Sequence, residues 1–363
     1  MPQNNNQAKE IKTINLALQG GGSHGAFSWG VIDRLLEEKN IRVEGITGSS
    51  AGAMNAAALG CGIIKGGNEG GREAMAHFWK TLSDQAADSN PFKMLKKITG
   101  SSNLDKSPLA AFSNMMSQIL SPYQTNPQNK QPLRDIINKT IDLEVLQKSD
   151  KVKIYVCATN VQTNKVKIFE NKELSVDALL ASACLPALHQ AVNCKGHYYW
   201  DGGFMGNPML EPLIYKCMAD DTIIIPINPT DRPTLPKTAA DILDRLNEIT
   251  FNSTFIREIG SIVHMLKLFE SINVPIENPY TRLKLHMISN EPFLANQDLS
   301  SKYNTDWDFL ITLRDAGRAC ADEWINSNYD KIGKETTMDL SGWQSSTKQI
   351  DNWFKEKEIG KNA

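Results

Sequence analysis

Val43-Glu44-Gly45-Ile46-Thr47-Gly48-Ser49-Ser50-Ala51-Gly52 joins an apolar run to a stretch of small residues that continues from Ala53 to Leu59. The order it implies is strand, sharp turn, helix, with glycine on both sides of a serine, which is the context of a nucleophile elbow. A side chain at Gly48 or Gly52 would collide with backbone across such a turn. The serine at its apex must occupy a sparsely populated φ/ψ region. The register of the G-x-S-x-G pattern puts Ser50, not Ser49, at the centre. Ser50 also opens the following helix, where free N–H groups and the positive dipole end favour a developing anion. A five-residue match has an ordinary explanation too, a small-residue turn for close helix–strand packing. The reading therefore depends on partners elsewhere in the chain.

Upstream, Thr13 to Gln19 is a compact, largely apolar run consistent with a buried strand. It ends in Gly20-Gly21-Gly22-Ser23-His24-Gly25. Beyond it Phe27, Val31 and Leu35 recur four apart beside Ile32 and Leu36, with charged residues opposite, the pattern of an amphipathic helix. Two βα units in series predict a parallel sheet with helices on its faces. The glycine loop matches G-x-G-x-x-G through Gly20, Gly22 and Gly25, and Glu44 lies near the distance at which a dinucleotide site keeps its ribose-binding acid. An oxidoreductase using Gly20–Gly25 as a phosphate loop is thus one reading. Against it, Glu44 stands near the start of the second strand, whereas the ribose acid belongs at that strand's carboxyl end, which Gly48-Ser49-Ser50 occupies. The other reading, acyl transfer, uses the glycines to expose backbone N–H groups to an oxyanion, and it carries more weight. Both loops fall at the carboxyl ends of neighbouring parallel strands, where open α/β sheets bind ligands.

Composition narrows the classes. The 363 residues are 41% hydrophobic, ample for a buried core, and allow one decorated domain or two. A net charge of -2 and a pI near 6.3 give no basic excess for nucleic acid. Cys61, Cys157, Cys184, Cys194, Cys217 and Cys320 include no C-x-x-C pair and no zinc spacing, so reduced, buried thiols are expected and no metal site is read. Met1 to Lys12 is polar and asparagine-rich without an apolar h-region, and no apolar run is long enough to span a bilayer. The expectation is a cytoplasmic protein, with a peripheral membrane role left open.

Downstream, Gly60 to Gly71 reads as a flexible connection before a short helix around Met75 to Thr81. From Pro91 to Leu133, Phe92, Met94, Leu95 and Ile98 alternate with Lys93, Lys96 and Lys97, followed by Leu109, Phe112, Met115, Met116, Ile119 and Leu120. Such basic, methionine-rich pieces suit a lid or lipid-facing surface as well as plain packing on the sheet. Pro122 to Pro132 reads as loop. Lys153–Asn160 reads as a strand, with Val166 to Phe169 as its antiparallel neighbour. Asp177 to Pro186 reads as a short helix, and further strands are expected at Asp221–Asn228 and Leu283–Ile288. Amphipathic helices are read at Phe251–Phe269 and Phe309–Ile325. His197-Tyr198-Tyr199-Trp200 runs into Asp201-Gly202-Gly203, for which a plain turn is the ordinary explanation.

Taken together and in this order, Gly20-Gly21-Gly22-Ser23-His24-Gly25, Gly48-Ser49-Ser50-Ala51-Gly52 and Asp201-Gly202-Gly203 resemble the motifs of the patatin-like phospholipase family. Ala181-Ser182-Ala183-Cys184-Leu185-Pro186 and Asn207-Pro208 are also similar to its pattern, and the resemblance covers most of residues 12 to 230. It implies a three-layer α/β/α sandwich with a mostly parallel central sheet, helical insertions and a helical C-terminal extension. The residues themselves divide the chain into a disordered arm at 1–11, a hydrolase domain over 12–325 with a lid-like insertion about 85–133, and a polar tail at 326–363 docking through Trp343, Trp353 and Phe354. The implied activity is hydrolysis of lipid acyl esters without metal or organic cofactor. Ser50 would be the nucleophile, Asp201 its general base, and Gly20, Gly21, Gly22 and Gly25 the oxyanion loop, with Gly48, Gly52, Gly202 and Gly203 supporting the turns. The implied partner is a lipid or phospholipid, and a non-catalytic lipid-binding relative is the alternative from another class. One departure is His24, where the family usually carries arginine or lysine. A histidine adds to an oxyanion field only when protonated, so the reading here favours backbone N–H groups and a packing role for His24.

Overall fold

The computed structural model describes residues 10–89, 121–232, 234–271, 278–297 and 299–343. Most of the stretch read as a lid-like insertion, together with Trp353 and Phe354, lies outside the described residues. Strand β1 (Lys12–Leu18) leads through the glycine loop into helix α1 (Gly25–Leu35), and β2 (Ile41–Gly48) leads through the Ser50 turn into α2 (Ala51–Ser89). There follow β3 (Lys153–Asn160), β4 (Lys165–Glu170), α3 (Val176–Ser182), β5 (Val192–Cys194) and β6 (His197–Asp201). The chain then runs through β7 (Asp221–Ile225), α4 (Ala239–Ser271), β8 (Lys284–Met287) and α5 (Trp307–Asn328).

Among the described residues the sheet has eight strands. Five run parallel in the order β3-β2-β1-β7-β8, and β4, β5 and β6 extend it antiparallel around β3. Alternation along β1 shows how the layers form. Ile14, Leu16 and Leu18 enter the core shared with α1, α2 and α5, while Ala17 enters a second core on the opposite face with Phe255, Ile259 and Ile262 of α4. The result is helix, sheet, helix, the three-layer sandwich expected from serial βα units. All six cysteines are unpaired, five of them buried. Among the described residues no helix is long and apolar enough to cross a membrane.

Two expectations need correction. The glycine-rich stretch Gly60 to Gly71 is helix, not connection, apart from non-helical φ/ψ at Gly66 and Gly67. The chain folds back there, and a Cβ on Gly62 would stand 2.2 Å from the Gly70 carbonyl oxygen, so these glycines let two helical arms touch backbone to backbone. The helix read from Phe251 begins at Ala239. Its first turns carry Ile242, Leu243, Leu246 and Ile249 outward, off the line of the buried Phe251, Phe255 and Ile259, so no single apolar stripe runs its whole length. Beyond α5, Trp343 packs edge-on against Phe255, with ring centroids 5.6 Å apart.

Candidate active site

β3 has one edge shared by two partners, and that division builds the site. Residues 153–156 of β3 pair with β2, which ends at Gly48 opposite Val156. Residues 158–160 pair with β6, whose last residue, Asp201, lies opposite Ala158. Asp201 therefore arrives on the edge that β2 has just left, about 7 Å further along the strand. The same departure throws Ser50 into the turn. Ser50 adopts φ 55, a left-handed conformation that costs a non-glycine residue strain and is sustained here by its surroundings. Its N–H donates to the Ser182 carbonyl (3.1 Å) and lies 3.0 Å from Ser182 Oγ. The Asp201 N–H donates to the Cys184 carbonyl at 2.8 Å. Thus the Ala181–Pro186 segment, which spans the end of α3, ties down both residues.

The two serines of the elbow differ. Ser49 is fully buried and its hydroxyl donates to the Gly206 carbonyl. Ser50 keeps 9% exposure, and its hydroxyl acts on the Asp201 carboxyl. The elbow glycines are steric necessities. A Cβ on Gly52 would meet the Leu18 carbonyl oxygen at 2.2 Å, and one on Gly48 would meet the Gly52 backbone at 2.4 Å. Gly20 is tied directly to the nucleophile turn, since its Cβ would lie 2.7 Å from that of Ser50.

Asp201 has no solvent exposure. Its Oδ1 accepts from the Gly203 N–H at 2.7 Å, so the plain turn reading of Asp-Gly-Gly holds for that oxygen. Among the described residues Oδ2 is buried without a hydrogen-bond partner. Burial pushes the carboxyl up to about 7, opposed by the Gly203 N–H and by the Ser50 hydroxyl. The hydroxyl is thus near enough to favour the carboxylate. A Cβ on Gly202 would stand 2.0 Å from the Cys157 carbonyl oxygen, so only glycine lets the turn lie this close to β3. Among the described residues no histidine hydrogen-bonds to Ser50 or Asp201. His286 is engaged with Asp221, and His24 with Ser301. His197 heads the strand that Asp201 ends, about 13 Å away along it.

The glycine loop divides its amides. The Gly20 N–H donates to Asn207 Oδ1 (2.6 Å), and the Gly25 N–H is turned back to the Gly22 and Ser23 carbonyls. The amides of Gly21 and Gly22 make no hydrogen bond among the described residues, nor does that of Ala51 at the start of α2. The loop is held from behind by polar side chains that sequence reading missed. Gln19 Oε1 accepts from the Ile227 and Asn228 N–H groups, and Asn228 Nδ2 donates to the Gly20 carbonyl (2.7 Å). The signal was present only in Gln19, a polar residue closing an apolar strand. His24 is buried, its Nε2 2.7 Å from Ser301 Oγ, and burial with the nearby Lys302 and Arg232 lowers it to about 3. It carries no charge at neutral pH. Glu44 is committed at the other end of β2, where it pairs with Lys153 and accepts from the Met218 and Ala219 N–H groups. It is not available to a ribose at the glycine loop.

The patatin-like phospholipase family model matches residues 16–214, the span holding the glycine loop, the elbow and Asp201. Among solved structures the chain is similar to VipD from Legionella pneumophila, at 15% identity over 97% of this chain and 77% of that one, with a TM-score of 0.40. A likeness that distant bears on neither activity nor partner. Among curated proteins none matches. With its family model spanning more than half its length, the chain belongs to the patatin-like phospholipase family.

Proposed function

We propose that this protein is a serine acyl hydrolase that cleaves lipid acyl esters, of the phospholipase A or lysophospholipase kind, through a Ser50–Asp201 dyad. The observation that carries the reading is the convergence of Ser50 and Asp201 on one edge of β3, with a buried carboxylate oxygen left unpartnered beside a strained serine. Ser50 Oγ attacks the ester carbonyl while Asp201 Oδ2 takes its proton. The tetrahedral oxyanion forms against the free amides of Gly21 and Gly22. Of the four glycines expected in the oxyanion loop, Gly20 and Gly25 serve by shape, since their own N–H groups are engaged. Collapse of the intermediate expels the alcohol, protonated by Asp201, and leaves an acyl-serine. Water deprotonated by Asp201 then releases the fatty acid, and the steps need no metal or organic cofactor. A non-catalytic lipid binder would have no use for the strain at Ser50 or for the buried, unpartnered Asp201 Oδ2.

The outward apolar residues of α4 suit an aggregated substrate. Ile242, Leu243, Leu246 and Ile249 are exposed on the helix whose inner residue Phe251 packs on Gly203 and Phe204. A lipid surface met by that stripe would lie beside the Asp201 turn. The reading is tested by fatty-acid release from phospholipid and lysophospholipid vesicles. Ser50→Ala and Asp201→Asn are each expected to lower turnover by about a thousandfold or more, and the double variant to be little worse, because residues that act as a unit are non-additive. Undiminished release by folded Ser50→Ala would defeat the reading.

A further inference from the structure

We infer that Lys302 is a positioning residue for the oxyanion loop, acting through Asn228 to strengthen the Gly21 N–H as a donor. The inference rests on the acyl-transfer reading above and adds to it a residue far outside the three motifs.

The connection runs through two short hydrogen bonds, with Asn207 Nδ2 a second, longer donor to the Gly20 carbonyl at 3.3 Å. Lys302 Nζ donates to Asn228 Oδ1 at 2.7 Å, and Asn228 Nδ2 donates to the Gly20 carbonyl at 2.7 Å. That carbonyl and the Gly21 N–H belong to one peptide unit. An amide whose oxygen accepts a strong hydrogen bond becomes a stronger donor at its nitrogen, and linked amides pass the effect on. The orientation of the Asn228 amide is fixed chemically, because an ammonium group can only donate and must face the oxygen. The Lys302 backbone is as close as its side chain. A Cβ on Gly22 would lie 2.2 Å from the Lys302 carbonyl oxygen, and Gly22 sits at φ 60, so the loop and the Leu299–Tyr303 turn are moulded to each other.

The charge has few other uses. Lys302 Nζ has a second, longer contact with Asn247 Oδ1 (3.4 Å), and among the described residues no carboxylate lies within ion-pair distance. The charged groups facing it are Asp244 and Glu248 of α4, which favour its protonated form, and Arg232, which opposes it. Glu248 is already shared by Arg232 and Arg245. His24, across the loop, is uncharged. Some of the Lys302 side chain remains accessible, yet desolvation of its ammonium dominates and lowers it to about 8. A desolvated cation without an anion is costly to hold, and here it ends on the one polar contact that reaches the loop.

The test is steady-state hydrolysis of a soluble nitrophenyl ester against pH by the parent, Lys302→Arg, Lys302→Met and Ser50→Ala, with thermal melting of each. The parent's kcat is expected to decline as pH rises through about 8, where the ammonium is lost. Lys302→Arg is expected to keep its activity there. Lys302→Met is expected to lose about tenfold in kcat at neutral pH with little change in KM, less than the loss of a direct oxyanion donor, and to show no such decline. An alkaline decline unchanged in Lys302→Arg, or a kcat in folded Lys302→Met equal to the parent's, would overturn the inference. If Lys302→Met does not fold, the comparison of parent with Lys302→Arg still decides. Absence of Ser50-dependent turnover in the parent would sink the acyl-transfer reading itself, whereas turnover indifferent to Lys302 would sink this inference alone.

Discussion

Two buried aspartates at opposite ends of the sheet show what separates a site from a support. Asp221 opens β7 opposite Ile14, and Asp201 closes β6 beside the carboxyl end of β2. Since β7 is parallel to β1, about 13 Å of strand separates Asp221 from the level of the glycine loop. Asp221 Oδ1 accepts from His286 Nε2 at 2.9 Å and from the Gly333 N–H at 2.8 Å, and His286 Nδ1 is 2.8 Å from Thr337 Oγ1. This Asp–His pair has the chemical parts of a triad and the wrong address. It ties β7 and β8 to the chain beyond α5, far from any nucleophile. Asp201 has one oxygen spent on its own turn and the other without a partner. Satisfaction of every buried polar atom stabilises; an atom deliberately left over is where chemistry becomes possible.

The contrast is most easily broken by mutation. Removing the imidazole with His286→Ala leaves a buried carboxylate half-satisfied and is expected to cost about 3–5 kcal/mol of stability, while the protein that remains folded keeps its kcat. Asp201→Asn is expected to do the reverse, abolishing turnover while raising stability. The sign follows from the shift. The Asp201 carboxyl is raised from 3.8 to about 7 in the folded protein, so the folded state holds the proton more tightly than the unfolded chain. Its relative contribution to stability is therefore greatest at low pH and is lost as pH rises from about 4 to about 7. An asparagine has no proton to lose. The melting temperature of the variant minus that of the parent should be larger at pH 8 than at pH 5. A difference that stayed flat with pH would mean that Asp201 is not the desolvated acid described here.

A smaller effect separates the two faces of α4. Ile242→Ser with Leu243→Ser and Leu246→Ser should leave hydrolysis of a soluble ester unchanged while reducing sedimentation with phospholipid vesicles by several-fold. Equal sedimentation of parent and variant would remove the stripe from the account. Phe251, on the inner face, has no such freedom, because its ring packs on Gly203.

How much of this was legible in the sequence depends on how local each feature is. The glycine loop, the elbow and Asp201-Gly202-Gly203 are turns whose shape is dictated by a few adjacent residues, so their residue types announce them. Strand β3 and its partner β4 were equally readable, each a short apolar run bounded by polar turns. Gly60 to Gly71 misled because glycine signals a chain break only when nothing packs on it. At Gly62 and Gly70 another backbone does, and tertiary contact overrides propensity. Ser182 was legible only as part of the Ala181–Pro186 resemblance and not by what it holds, and Asn228 and Lys302 could not be read at all, since each acts through a partner dozens to hundreds of residues away. The distinction between Asp201 and Asp221 is of the same kind. Both are aspartates at strand ends, and only their surroundings recommend one for the proposed chemistry and the other for a structural role.

The central claim is that Asp201 activates Ser50 directly. It is tested most directly by the pH dependence of covalent labelling with a fluorophosphonate, read by mass spectrometry of the Ser50 peptide. The account predicts a single adduct on Ser50, a labelling rate that rises with pH to a plateau through about 7 as Asp201 ionises, and almost no adduct in Asp201→Asn. An adduct on any other residue, or labelling of Asp201→Asn at the parent's rate, would contradict it.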